Sequence, residues 1–167
     1  MQKMMGLMRR CIDDYHMIES GDRIAVGVSG GKDSLTLLTV LAALRAYYPK
    51  PFELEALSID MGLGGMDFAP VERLCRELDV PYTIRHTEIG KIIFDYRKEK
   101  NPCSMCAKMR RGALNDLILE HGFNKVALGH HFDDAVETML MSLLYEGRIG
   151  CFEPVTYLSR TGVTQIR

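Results

Sequence analysis

The run Ser29-Gly30-Gly31-Lys32-Asp33-Ser34 constrains the fold of this chain more than any other segment. It follows the apolar stretch Ile24-Ala25-Val26-Gly27-Val28 and precedes Leu35-Thr36-Leu37-Leu38. Read in that order, the three pieces predict a strand, a tight loop and a helix. Two adjacent glycines let the backbone turn sharply and leave N–H groups uncovered by side chains. Together with the positive end of the helix and the Lys32 ammonium, those N–H groups suit phosphates. The spacing is neither G-x-x-x-x-G-K-[ST] nor G-x-G-x-x-G. An ordinary strand-to-helix turn carrying a surface lysine is the alternative.

The rest of the chain repeats the alternation. Met4, Leu7, Met8, Cys11, Ile12, Tyr15 and Ile18 recur at helical spacing and predict an opening amphipathic helix, ended by Gly21-Asp22. Strands are expected over Arg23–Val28, Phe52–Ile59, Pro81–Thr87 and Lys125–Leu128. Helices are expected over Lys32–Tyr48, Phe68–Leu78, Cys103–His121 and Asp133–Tyr145. This order implies an α/β fold, a doubly wound parallel sheet with helices on both faces. In such sheets ligands sit at the carboxyl ends of the strands, near the switch in strand order. That rule gathers the Ser29, Asp60 and Gly129 loops at one edge. The expected organisation is an N-terminal helix over 1–20 and one domain over 21–167.

Composition narrows the class. The 167 residues are 47% hydrophobic and 26% charged, and no apolar run approaches a membrane span. No secretory signal follows the charged first ten residues, and five irregularly spaced cysteines argue for a reducing, cytoplasmic compartment rather than a disulfide framework. The net charge of −1 is silent about nucleic acid. Locally, however, Lys91, Arg97, Lys98, Lys100, Lys108, Arg110 and Arg111 face only Asp95 and Glu99 in sequence. Such a run suits RNA, or a solvated face.

Two further clusters carry chemistry. Gly129-His130-His131-Phe132-Asp133-Asp134-Ala135-Val136-Glu137-Thr138 follows the fourth strand. Asp133 or Asp134 suits a Mg²⁺ that also binds phosphate oxygens. The paired histidines could instead ligate zinc, and either aspartate could cap the helix. Cys103-Ser104-Met105-Cys106 is a C-x-x-C at a helix start, where the helix dipole, Lys108 and Arg110 favour thiolates. Redox chemistry, zinc and iron–sulfur binding are open to it, as is a buried pair. Cys11 and Cys75 read as structural.

The Ser29–Ser34 run resembles the SGGxDS signature of the PP-loop, or N-type, ATP pyrophosphatases. With Cys103, Cys106, Arg110, Arg111 and Gly112 as C-x-x-C-x-x-x-R-R-G, and with G-H-H-x-D-D-x-x-E-T, the chain resembles the tRNA 2-thiocytidine biosynthesis (TtcA) family. The resemblance implies an adenine nucleotide α-hydrolase-like fold, ATP, Mg²⁺ and a [4Fe–4S] cluster. It implies adenylation of O2 of an anticodon-loop cytidine and replacement of that oxygen by sulfur from a donor such as a cysteine desulfurase. A homodimer is a further expectation. Ser29, Gly30, Gly31, Lys32, Asp33 and Ser34 would hold the triphosphate, with Lys32 and Asp33 acting in turnover. Gly129 and His130 would border the nucleotide, and Asp60 would contact it or position metal. Asp133 and Asp134 would hold Mg²⁺, while Cys103 and Cys106 would hold the cluster or carry sulfur. Family members take a third cluster cysteine from a C-terminal segment, so a chain ending at Arg167 is expected to be short of it. Cys151 is a substitute candidate. The alternatives are a non-catalytic nucleotide-binding module, a tRNA uridine thiolase and a lysidine-type ligase.

Overall fold

The computed structural model describes residues 2–97 and 102–167, so Lys98, Glu99 and Lys100 of the basic segment lie outside the described residues. The apolar run ahead of the glycine loop forms β1 (Arg23–Gly27), and the loop opens α2 (Lys32–Arg45). β2 (Glu53–Asp60), α3 (Ala69–Glu77) and β3 (Tyr82–His86) follow. A short α4 (Ile89–Lys91) continues as a π-helical stretch over Ile92–Arg97. α5 (Pro102–Glu120), β4 (Lys125–Leu128) and α6 (Phe132–Glu146) complete the expected elements.

One boundary and one pair of strands differ from expectation. The opening helix, α1, spans Gln2–Asp14 and stops short of Ile18. His16 takes a left-handed φ of +49° there, and the Met17 N–H bonds back to the Ile12 carbonyl, which closes the helix. Beyond the last expected helix the chain adds β5 (Val155–Leu158) and β6 (Val163–Ile166). Each is four residues long, too short for alternation alone to declare it. The pair is fixed by an antiparallel hairpin and by the free edge of β4.

The six strands run β3-β2-β1-β4-β6-β5, parallel except for β5. Strand order reverses between β1 and β4, which are neighbours. The loops that follow these two strands therefore emerge side by side. The period of two sends Ile24, Val26, Leu54 and Ala56 into one core with Leu38, Leu41 and Leu44 of α2, Cys75 of α3 and Ile12 of α1. Ala25, Leu57, Ile59 and Val126 form a second core on the opposite face with Leu117 and Ile118 of α5 and Ile93. Each large side chain closed off in this way contributes about 1.5–3 kcal/mol. α6 has no buried residue, and Phe132, Leu144 and Tyr145 on it are largely exposed.

Candidate functional site

Gly30 adopts φ +80°, a conformation that β-carbon crowding denies to most residues, and this turns the chain from β1 into α2. The loop is held by its own hydroxyls. Ser34, buried at the base, donates through Oγ to the Gly31 carbonyl (2.9 Å) and accepts the Ser29 N–H (3.2 Å). With its proton so placed, Ser34 Oγ also accepts from Ser29 Oγ at 3.2 Å. The α2 N-cap is Gly31, which offers no side-chain cap, so its first turn is open to an external acceptor. Gly31, Lys32 and Asp33 are exposed around that turn. The positive end of the helix and its uncapped N–H groups make this turn suit an anion, and Lys32 brings a positive charge to its first position.

The Gly129 loop presses against this turn. A β-carbon on Gly129 would stand 3.0 Å from both the Asp33 carbonyl carbon and the Ser34 nitrogen. Backbone on both sides leaves nothing flexible to yield. Gly129→Ala should therefore lower the unfolding free energy by about 1–3 kcal/mol in urea titrations. Beyond it, His131 caps α6 and its N–H donates to the Asp134 carboxylate at 2.8 Å. Asp134 thus serves the cap, while Asp133 and Glu137 are exposed. Burial first, and then the Arg167 charge, depress the His130 imidazole below its ordinary value. His130 also lies against the Phe152 ring, centroids 5.2 Å apart.

Between the loops and α5 lies an open cleft lined by Ser29, Leu57, Ile59, Met61, Met66 and Arg110, among others. Its walls are apolar apart from Ser29 and Arg110, a lining that suits a flat heterocycle beside a phosphate site. Met61 and Met66 were not expected here. They sit on the glycine-rich β2–α3 connection, whose composition signals only a loop. Asp60 lies on the other face of β2 from Leu57 and Ile59. Its carboxylate accepts the Gly62 N–H at 2.9 Å and pairs with His86 Nδ1 at 2.9 Å. The Gly62 N–H, then His86, hold it below the usual carboxylate range.

Cys103 and Cys106 are free thiols three residues apart on the first turns of α5. Cys103 is exposed, whereas Cys106 packs with Met105 and Met109 against the second core. Arg110, which lines the cleft, is one helical turn beyond Cys106, a rise of about 6 Å. Cys151 is exposed and bonds the Ala135 carbonyl through Sγ at 3.3 Å. Among the described residues no group of three His, Cys, Asp or Glu side chains is placed to hold a metal ion.

Comparison with known proteins gives the arrangement its relatives. A tRNA-cytidine(32) 2-sulfurtransferase of Geobacter metallireducens is 40% identical over 159 residues, covering 95% of this chain and 62% of its own length. That of Syntrophotalea carbinolica is 42% identical, covering 92% and 60%. The chain thus spans about three-fifths of these relatives. Among solved structures, the U34-tRNA thiolase NcsA from Methanococcus maripaludis, with its [4Fe-4S] cluster, superposes at a TM-score of 0.67 and 28% identity, over 78% of this chain and 46% of that one. The NH3-dependent NAD synthetase of Campylobacter jejuni, at a TM-score of 0.53 and 22% identity over 83% and 59%, shares the fold alone. The family model for the PP-loop domain matches residues 5–153, from α1 through both loops to the start of the last hairpin, and the chain belongs to that family.

Proposed function

We propose that this chain performs ATP-dependent sulfur transfer to tRNA, of the type that converts an anticodon-loop cytidine to 2-thiocytidine. One observation carries the reading: α5 bears the C-x-x-C and, one turn on, lends Arg110 to the cleft beside the phosphate loop. Nucleotide activation and sulfur chemistry thereby share one helix. The resemblance to sulfurtransferases over more than nine-tenths of the chain supports the same reading.

In this mechanism the open turn of α2 binds the ATP phosphates and the apolar cleft takes the adenine. The cytidine O2 attacks the α-phosphorus, the α–β bridge breaks, and pyrophosphate leaves. Lys32 stabilises the charge that builds on the departing oxygens. The base oxygen becomes part of a phosphodiester leaving group, so a sulfur nucleophile can add at C2 and expel AMP. Asp133 is the carboxylate we assign to Mg²⁺, since Asp134 is engaged in the cap. Cys103 and Cys106 fit two positions of a [4Fe–4S] cluster, which when bound supplies a site for the incoming sulfur. The sulfur donor, such as a cysteine desulfurase, and a homodimeric state belong to the same proposal.

The test is a paired assay with ATP, Mg²⁺, a sulfide source and tRNA, scoring pyrophosphate release and 2-thiocytidine separately. Wild type should give both products. Cys103→Ser should keep pyrophosphate release within about threefold and lose at least about a hundredfold in thiolation, because its thiol enters only the second step. Thiolated uridine in place of cytidine would move the chain toward the NcsA-like activity. Full thiolation by Cys103→Ser would remove the motif from the chemistry.

A further inference from the structure

The phosphate loop does not end at Ser29. The Val28 carbonyl, immediately before it, accepts a hydrogen bond of 2.7 Å from the buried Ser58 hydroxyl of β2. Ser58 in turn accepts from the Tyr82 hydroxyl of β3 at 2.8 Å. On the far side of the same peptide unit, the Ser29 N–H donates to Ser34 Oγ, and Ser34 donates to the Gly31 carbonyl. Every donor and acceptor in this chain of groups points the same way. It runs from the Tyr82 hydroxyl through Ser58, the Val28–Ser29 peptide and Ser34 to Gly31. Burial pushes the Tyr82 phenol above its ordinary value, so its proton stays in place and Tyr82 donates.

We propose that Ser58 and Tyr82 are positioning residues for the phosphate loop, setting the tilt of the Val28–Ser29 peptide from which the loop hangs. The sheet ends at this peptide. The Val28 N–H still makes a ladder bond, to the Leu57 carbonyl at 2.8 Å, whereas β1 itself stops at Gly27. The Val28 carbonyl is therefore the last group before the chain leaves the sheet, and a side chain rather than a strand neighbour fixes it. A peptide polarised at both ends by aligned hydrogen bonds resists rotation more than one held at a single end. Rotation of this peptide would swing the Ser29 N–H off Ser34 and release the anchor that keeps Ser34 on Gly31. Neither Ser58 nor Tyr82 lines the cleft, so neither is placed to contact a base bound there.

This inference rests on the assignment of the loop to triphosphate binding, and the experiment separates the two. Affinities for a non-hydrolysable ATP analogue and for adenosine are measured by titration calorimetry for wild type, Ser58→Ala and Tyr82→Phe. Amide exchange at Ser29 is followed in parallel. Ser58→Ala should weaken the triphosphate analogue about tenfold and leave adenosine within about twofold, since only the phosphate end of the site is disturbed. Tyr82→Phe, which deletes a single oxygen, should give about a threefold loss in the same direction. Exchange at Ser29 should accelerate in both variants. Equal losses for the analogue and adenosine would reduce the two residues to general packing, and wild-type affinity together with wild-type Ser29 exchange would overturn the proposal. Failure of the wild-type chain to bind the analogue would instead defeat the triphosphate assignment. A misfolded Ser58→Ala leaves Tyr82→Phe to decide, because its ring and packing are retained.

Discussion

Lys32→Ala should slow ATP-dependent pyrophosphate release by about 10²–10³-fold while adenosine affinity stays unchanged. Lys32 is the first residue of α2, directly after an N-cap that has no side chain to satisfy the helix start. Its ammonium and the uncapped N–H groups therefore act on the same anion. The N–H groups are fixed by the backbone and bind ground state and transition state alike. The ammonium can follow the charge as it moves onto the leaving pyrophosphate, which is the differential binding that lowers a barrier. ATP affinity should fall by only about tenfold, the scale of one charge-assisted contact. Lys32→Arg should recover part of the loss, because charge is restored but the larger fork cannot occupy the same point. Pyrophosphate release by Lys32→Ala at the wild-type rate would take Lys32 out of the reaction.

The glycine loop and the helix it opens were legible because their signal is contiguous: strand, glycines, lysine and helix start lie within a dozen residues. The Gly129 segment was legible as a motif, but its reason was not. Only the structure shows that a β-carbon there would strike the backbone of Asp33 and Ser34, a contact between loops almost a hundred residues apart. Asp60 shows what a strand end alone does not tell. Its place at the carboxyl edge suggests the nucleotide, yet the strand's period of two puts it on the Ser58 face, away from Leu57 and Ile59, which line the cleft. The same period, applied to β2, would have foretold this. Ser58 carries no signal at all in sequence, since a serine within an apolar strand can simply bond locally. The two last strands were missed for a different reason. Val155–Leu158 and Val163–Ile166 flank Ser159-Arg160-Thr161-Gly162, a hairpin signal that is weak at four residues a side. What makes them strands is the open edge of β4, which no local pattern records.

Asp22→Ala should lower the unfolding free energy by about 3–5 kcal/mol, the scale for breaking a buried ion pair on one side. In sequence Asp22 is an acidic residue after a glycine, the composition of a turn. In the fold it is 5% exposed and its carboxylate collects three groups. The Lys125 ammonium stands 2.7 Å from Oδ2, Asn124 donates to Oδ1 at 2.7 Å, and the Glu19 N–H donates to Oδ2 at 2.6 Å. Lys125 also reaches the Met17 carbonyl at 2.8 Å, so the cluster bolts the α1–β1 connection to β4. Burial alone would push the Asp22 carboxyl up, but the hydrogen bonds from Glu19, Lys125 and Asn124 and the Lys125 charge outweigh it and hold the group below the usual carboxylate value. A folded-state pKa below the unfolded one means that the stabilisation is complete above the unfolded value of about 3.9 and drains away as pH falls through the folded one. Wild type should therefore lose stability on acidification below about pH 4, and Asp22→Ala should lose less over the same interval. The double variant Asp22→Ala, Lys125→Met should regain part of the loss at neutral pH, because the stranded ammonium is what costs most. Urea titrations of the four proteins at pH 7 and pH 3 complete the cycle. The cluster sits at the amino ends of β1 and β4, opposite the phosphate loop, so the folded Asp22→Ala protein should bind nucleotide like wild type. Additive single losses at pH 7, with identical acid profiles, would show that the two charges are neighbours without being partners.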